Sequence, residues 1–129
     1  MATIQFDLVS PERKLASVAA SEIQIPGADG DFTAMAEHAP MLTTLRPGLL
    51  TVKADAGVTE YIVTGGFVEV SGTNASVLAE QALPKGEVTR DIVEGMIADA
   101  TAALSIVAPE EKDAADKRLN DTKALLELI

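Results

Sequence analysis

Alternation of apolar and polar residues marks the first two thirds of the chain. Ile4, Phe6 and Leu8 fall on one face of a predicted strand, with polar residues between them. Residues 49–65 form two alternating runs that meet at a turn around 55–57, which predicts a hairpin. Similar runs at 21–27 and 67–80 are separated by glycine, proline or serine. Short strands at this spacing are typical of an antiparallel sandwich or barrel.

A helical periodicity replaces this alternation after Gly86. The first predicted helix carries apolar residues at helical spacing, namely Ile92, Met96, Ala100, Ala103 and Val107. We expect Thr89 to cap its N-terminus and Pro109 to lie in the first turn of a second helix. The stripe of the second helix is Ala115, Leu119, Thr122, Leu126 and Ile129. The small alanines would allow the two helices to pack closely as an antiparallel hairpin.

The composition changes at the same place in the chain. All four aromatic residues lie within the first 67 positions, and none follows Glu87. Residues 1–86 and 87–129 each carry ten acidic and five basic side chains, so the shorter tail has the denser negative charge. We therefore predict a β-sandwich domain over residues 1–85, followed by a helical hairpin over residues 86–129.

The overall charge and composition exclude several classes of function. A net charge of −10 argues against binding to nucleic acid and against adsorption to anionic lipid. Disulfides and thiolate metal sites are impossible because the chain has no cysteine. The sequence contains no secretory signal pattern and no run of 18 apolar residues, so we expect no direct membrane insertion.

His38 is the only histidine, and it invites a catalytic interpretation. No serine lies in a nucleophile elbow, and a single histidine makes a zinc site improbable. Residues 29–32 lack the other ligands of a calcium loop, so they are interpreted as a turn. Two alternatives stay open from the residues alone: a small β-sandwich hydrolase using His38, and a nucleotide-binding module. A structural or interface role for His38 is favoured, because Pro40 and Pro47 follow it closely and corners that contain proline are common.

Four segments together carry a recognisable pattern across residues 23–80. They read IQIPGADGDF, EHAPMLTTLRPG, TGGFVEV and ASVLAE, in that order. With the predicted helical tail, this pattern resembles the epsilon subunit of bacterial F-type ATP synthases. The resemblance implies a β-sandwich of about ten antiparallel strands followed by an α-helical hairpin.

The same resemblance implies a non-catalytic role. A subunit of this type belongs to the central stalk, the rotor, and couples proton-driven rotation of the c-ring to ATP synthesis in the catalytic head. Its C-terminal helices can restrain ATP hydrolysis by contacting the alpha and beta subunits. The implied location is peripheral, at the cytoplasmic face of the bacterial inner membrane, and no cofactor or metal is implied.

Candidate interface residues follow from the matched positions. The resemblance places a gamma-subunit interface at His38, Ala39, Pro40, Met41 and Thr43. It places a c-ring interface at the turn formed by Asp29, Gly30 and Asp31.

Two segments depart from the family pattern. Residues 33–37 replace a sequence that is often Gly-Val-Leu-Pro-Gly, so the backbone of this loop is expected to differ. Some members bind ATP through an Asp-x-x-Arg pattern on the first helix. Here Asp91 is kept, but Glu94 stands at the arginine position and would repel phosphate. Any nucleotide site is therefore degenerate, with Arg118 as the first substitute cation.

Overall fold

A computed structural model describes residues 3–37 and 39–129 of the chain. Its strands are β1 (Ile4–Val9), β2 (Lys14–Ala20), β3 (Glu22–Ile25), β4 (Phe32–Ala34), β5 (Met41–Leu45), β6 (Gly48–Ala54), β7 (Gly57–Val63), β8 (Gly66–Val70), β9 (Asn74–Ala79) and β10 (Ala82–Pro84). Its helices are α1 (Arg90–Ile106) and α2 (Lys112–Ala124). Single 3₁₀ turns lie at Lys85–Glu87, Pro109–Glu111 and Leu125–Leu128.

The strands form two five-stranded sheets that pack face to face. The first sheet has the order β2-β1-β9-β8-β5, and the second has the order β10-β7-β6-β3-β4. This confirms the predicted sandwich with its C-terminal helical hairpin. One detail differs from the prediction, because β1 and β9 run parallel whereas the other neighbours are antiparallel.

The inner faces of the two sheets make the main core. Ile4, Phe6 and Leu8 are fully buried, as their alternation predicts. Leu50 and Tyr61 enter the same core from the 48–63 hairpin, which turns at residues 55–56. Every buried member of this core lies between residues 4 and 82.

A second apolar cluster joins the helical hairpin to the outer face of the second sheet. Ile62 is fully buried, and its cross-strand neighbours are Leu49 on β6 and Leu83 on β10. Val93 of α1 and Leu125 at the end of α2 belong to the same cluster. The second sheet is therefore apolar on both faces in this region, and the hairpin is docked on the sandwich.

The buried face of α1 agrees only in part with the predicted stripe. Thr89 caps the helix as expected, because its Oγ1 accepts a hydrogen bond from the amide of Ile92 at 3.3 Å. Val93 and Met96 are the buried residues, whereas Ile92 retains 37% of its exposure. Of the other predicted positions, Ala100 and Val107 are partly buried, but Ala103 is exposed like Ile92, so these two were wrong. A helix that keeps Met96 buried can turn either Ile92 or Val93 inward, because both lie within one turn of Met96.

The buried face of α2 also differs from the predicted stripe near the C-terminus. Leu119 and Thr122 are buried as expected, but Leu125 follows them and Leu126 is only partly buried. The 3₁₀ turn at Leu125–Leu128 explains the difference, because side chains three apart align in that geometry. Ile129 is exposed, so its place in the stripe was wrong.

Truncation of Leu125 is predicted to loosen the hairpin. Leu125→Ala removes a fully buried side chain, which costs about 2–5 kcal/mol in a packed core. We expect amide hydrogen exchange in residues 112–124 to accelerate by at least tenfold, as measured by mass spectrometry. Ile129→Ala is the control, because its exposed side chain contributes little. Equal effects of the two variants would contradict this assignment of the docking contact.

The division of the chain at residue 85 yields a second prediction. A truncated chain ending at Lys85 keeps every buried member of the main core. We expect cooperative thermal unfolding by circular dichroism, at a lower midpoint than the full chain, because Ile62 becomes exposed. A non-cooperative, dye-binding state would show instead that the sandwich needs the hairpin to fold.

Candidate partner-binding surfaces

The segment predicted to contact the gamma subunit leads into β5, an edge strand of the first sheet. Ala39 and Pro40 precede this strand and are exposed, while His38 lies outside the described residues. Met41 and Thr43 are opposite the buried residues Val70 and Val68 on β8, so both lie on the inner face. The backbone therefore turns two of the predicted contact residues toward the core.

The outward positions of the same sheet carry an exposed apolar surface. Phe67 is directly opposite Leu78, and Leu42 lies diagonally across β5 and β8 from Phe67. These three side chains, which we call the outer patch, are 72% (Leu42), 58% (Phe67) and 58% (Leu78) exposed. Sequence reasoning missed the outer patch, although apolar residues at the outward positions of alternating strands were a signal for it.

Glu37 shows how the loop before β5 departs from the family pattern. Its φ of 67° lies in the left-handed region, which costs free energy for any residue other than glycine. Its amide donates to the carbonyl of Gly72 at 2.9 Å, which fixes the loop against the β8–β9 turn. A glutamate thus adopts the left-handed conformation at the position where the family pattern implied by the resemblance often has glycine.

The turn predicted to face the c-ring connects β3 to β4. Asp29 and Gly30 are exposed, and Gly30 has a φ of 139° that favours glycine. Asp31 is also exposed, and its Oδ1 accepts a hydrogen bond from Nη2 of Arg46 at 2.5 Å. The turn thus presents one carboxylate that is paired and another, on Asp29, for which no ion pair with a described residue is found.

Two contacts join this turn region to α2. Nη1 of Arg46 lies 3.7 Å from Oδ1 of Asp121, so Arg46 lies between a turn carboxylate and a helix carboxylate. Nζ of Lys117 donates to the carbonyl of Ala28 at 3.1 Å. Arg46 and Asp121 also line a cavity of about 460 Å³ between the sandwich and the end of the hairpin.

The two predicted interface segments lie at opposite ends of β5. The amide of Ala28 donates to the carbonyl of Thr44 at 2.9 Å, which places the turn beside the end of the strand. Residues 39 and 40 precede its beginning. Five residues of strand separate them, about 15 Å.

The candidate nucleotide residues are not in contact. Asp91 lies exposed in the first turn of α1. Arg118 lies on α2 and lines a cavity with Asp99 and Ala100 of α1. These two residues are about 12 Å further along α1 than Asp91. The guanidinium of Arg118 pairs with Glu80 at 2.5 Å. Glu94, at the position of the expected arginine, pairs with Arg90 at 3.0 Å.

The guanidinium of Arg118 packs against the backbone of Gly65. A Cβ atom at Gly65 would lie 2.9 Å from Nη1 of Arg118, closer than such atoms approach in proteins. The guanidinium therefore rests against bare backbone at the end of β7. This contact adds to the apolar cluster as a second attachment of α2 to the sandwich.

The described residues contain neither a metal-binding cluster nor a helix that could span a membrane. No group of three or more histidine, cysteine, aspartate or glutamate side chains is arranged to hold a metal ion in this part of the chain. Among the described helices, none combines the length and the apolar character needed to cross a bilayer.

Comparison with known proteins decides the family. Residues 3–85 match the model of the "ATP synthase, Delta/Epsilon chain, beta-sandwich domain". An ATP synthase epsilon chain of Cereibacter sphaeroides is 54% identical over 123 residues, covering 95% of this chain and 93% of that one. An epsilon chain of Jannaschia sp. is 52% identical over 129 residues, covering 100% of this chain and 98% of that one.

The chain belongs to the ATP synthase delta/epsilon family. It is an epsilon-type, non-catalytic subunit of the central stalk of an F-type ATP synthase, and the hydrolase and nucleotide-module alternatives are not favoured. A solved chain from the Euglena gracilis mitochondrial ATP synthase (OSCP/F1/c-ring, rotational state 1) has the same fold. It superposes with a TM-score of 0.73 at 21% identity, covering 99% of this chain and 82% of that one.

The arrangement of charges around α1 and α2 predicts weak or absent ATP binding. Both arginines near the candidate site are already paired, and Glu94 would repel phosphate. We expect no saturable heat of ATP binding to the full chain at millimolar concentration by isothermal titration calorimetry. Saturable binding that Asp91→Asn abolishes, and that the exposed-site control Asp29→Asn leaves intact, would contradict this prediction.

Proposed function

We propose that this subunit binds the gamma subunit of the stalk through the outer face of its first sheet. The outer patch is the observation that carries the proposal. Leu42, Phe67 and Leu78 are neighbours across three strands, and each is more than half exposed. An apolar cluster of this kind on a sheet surface favours burial against a protein partner.

The position of the predicted gamma segment supports the same surface. Leu42 lies within the segment 38–43 that the family resemblance implies, and it points outward where Met41 and Thr43 point inward. The proposed interface therefore lies where the resemblance places it, but Leu42 makes the contact in place of Met41 and Thr43. Ala39 and Pro40, just before β5, extend it at one end.

The remaining contacts are proposed from the family resemblance and from where the segments lie. The exposed turn at Asp29, Gly30 and Asp31 would face the c-ring, and the hairpin helices would reach the alpha and beta subunits when they leave the sandwich. In this arrangement the subunit transmits rotation of the c-ring to gamma and restrains hydrolysis through the helices. Its proposed location is the cytoplasmic face of the bacterial inner membrane, held there by its partners.

Charge introduced into the outer patch is predicted to weaken gamma binding. Phe67→Glu buries a carboxylate in the proposed interface, and loss of a central aromatic contact typically costs about 2 kcal/mol or more, or roughly 30-fold in affinity. The measurement is the dissociation constant for purified gamma subunit by surface plasmon resonance. We expect thermal unfolding of the variant to stay close to that of the unmodified chain, since Phe67 is already exposed.

Val58→Glu provides the matched control. Val58 is 62% exposed, but it lies on β7 in the other sheet. The same change of charge there should leave gamma affinity within twofold. Equal losses for both variants, or no loss for Phe67→Glu, would place the gamma-binding surface elsewhere.

A further inference from the structure

Arg46 is shared by two carboxylates that belong to different parts of the molecule. Asp31 lies on the β3–β4 turn and accepts a hydrogen bond from Nη2 at 2.5 Å. Asp121 lies on α2 and is reached by Nη1 only at 3.7 Å, beyond hydrogen-bonding distance. A single guanidinium therefore links the turn to the hairpin, and the turn holds it more closely.

Asp121 is the poorly satisfied partner in this arrangement. Its side chain is 21% exposed, and its Oδ2 is buried without a hydrogen bond to any described residue. A buried carboxylate oxygen without a donor costs free energy, and a charged donor would recover it. Arg46, which is 30% exposed, lines the same cavity as Asp121. It is the charged donor that forms an ion pair with Asp121.

We propose that Asp31 and Asp121 compete for Arg46, so that engagement of Asp31 by a partner strengthens the docking of the hairpin. A cationic side chain of a partner would pair with Asp31, which is 64% exposed. Arg46 would then turn toward Asp121 and make the hydrogen bonds that this carboxylate lacks. The closer pair would stabilise α2 against the sandwich.

Whether the hairpin docks more or less tightly depends on which carboxylate pairs with Arg46. Pairing of Arg46 with Asp31 joins two segments of the sandwich and does nothing to hold the hairpin. Pairing with Asp121 joins the sandwich to α2. Because binding and docking would be linked through one side chain, a docked hairpin would in turn leave Asp31 more available to a partner. This inference rests on the proposed function only for the identity of the turn as a partner-facing surface.

Asp31→Asn imitates the engaged state in the isolated full chain. It removes the competing charge but keeps the size of the side chain. We expect hydrogen exchange in residues 112–124 to slow by about threefold, the scale of a partly exposed ion pair. Exchange in residues 4–8 of β1, in the sheet that the hairpin does not cover, is the internal reference and should not change. No effect on α2, or faster exchange, would overturn the proposal.

Two further variants separate the switch from a general effect of charge. Asp29→Asn makes the same change of charge in the same turn, where no ion pair to a described residue is found, and it should leave exchange in α2 unchanged. In the Asp121→Asn background, Asp31→Asn should lose its effect, because Arg46 no longer has a charged alternative. Slowing that persists in that background, or that Asp29→Asn reproduces, would overturn the competition.

A negative result of this experiment can be distinguished from a failure of the proposed function. It requires neither gamma nor the c-ring, so a negative exchange result leaves the binding data for Phe67→Glu untouched. A chain that shows the predicted exchange but does not bind gamma would keep the competition for Arg46 and would contradict only the proposed gamma-binding surface.

Discussion

Burial of Ile62 on the outer face of the second sheet is the contact on which the architecture depends. Its neighbours Tyr61 and Val63 point into the sandwich, so β7 is apolar on both faces. A strand of this kind cannot face water on either side without exposing a large side chain. A cover at this position therefore stabilises the sandwich, and Val93, Met96 and Leu125 of the hairpin supply it.

The cover is held by few apolar contacts and by polar contacts at its margins. α1 and α2 bury only Val93, Met96, Leu119 and Thr122 along their lengths, and Leu125 follows in the last turn. The pairs Arg118–Glu80 and Arg46–Asp121 are partly exposed, so each adds little free energy. Such an attachment is compatible with the proposal that the helices leave the sandwich for another surface.

The sequence predicted the parts of the fold that repeat a simple period, and it missed the parts that depend on distant contacts. Ile4, Phe6 and Leu8 were located by alternation, because one face of β1 is buried throughout. Short edge strands such as β4 have too few residues to show a period. The helix stripes were wrong at some positions, because many of these hold alanine or threonine and because a 3₁₀ turn changes the spacing near Leu125. The pairing of Arg46 with Asp121 joins residues far apart in sequence, which no local pattern reveals.

The parallel pairing of β1 with β9 affects how the chain can fold during synthesis. Gln5 lies beside Asn74, so the first strand has no partner on that side until most of the sandwich has left the ribosome. Until then β1 can pair only with β2, and one edge of this small sheet stays open. Closing a loop of this length before native contacts form is a slow step in folding. The helices are synthesised after the strands, so they would reach a sandwich whose β1–β9 pair is already able to form, and Ile62 would remain uncovered until they arrive.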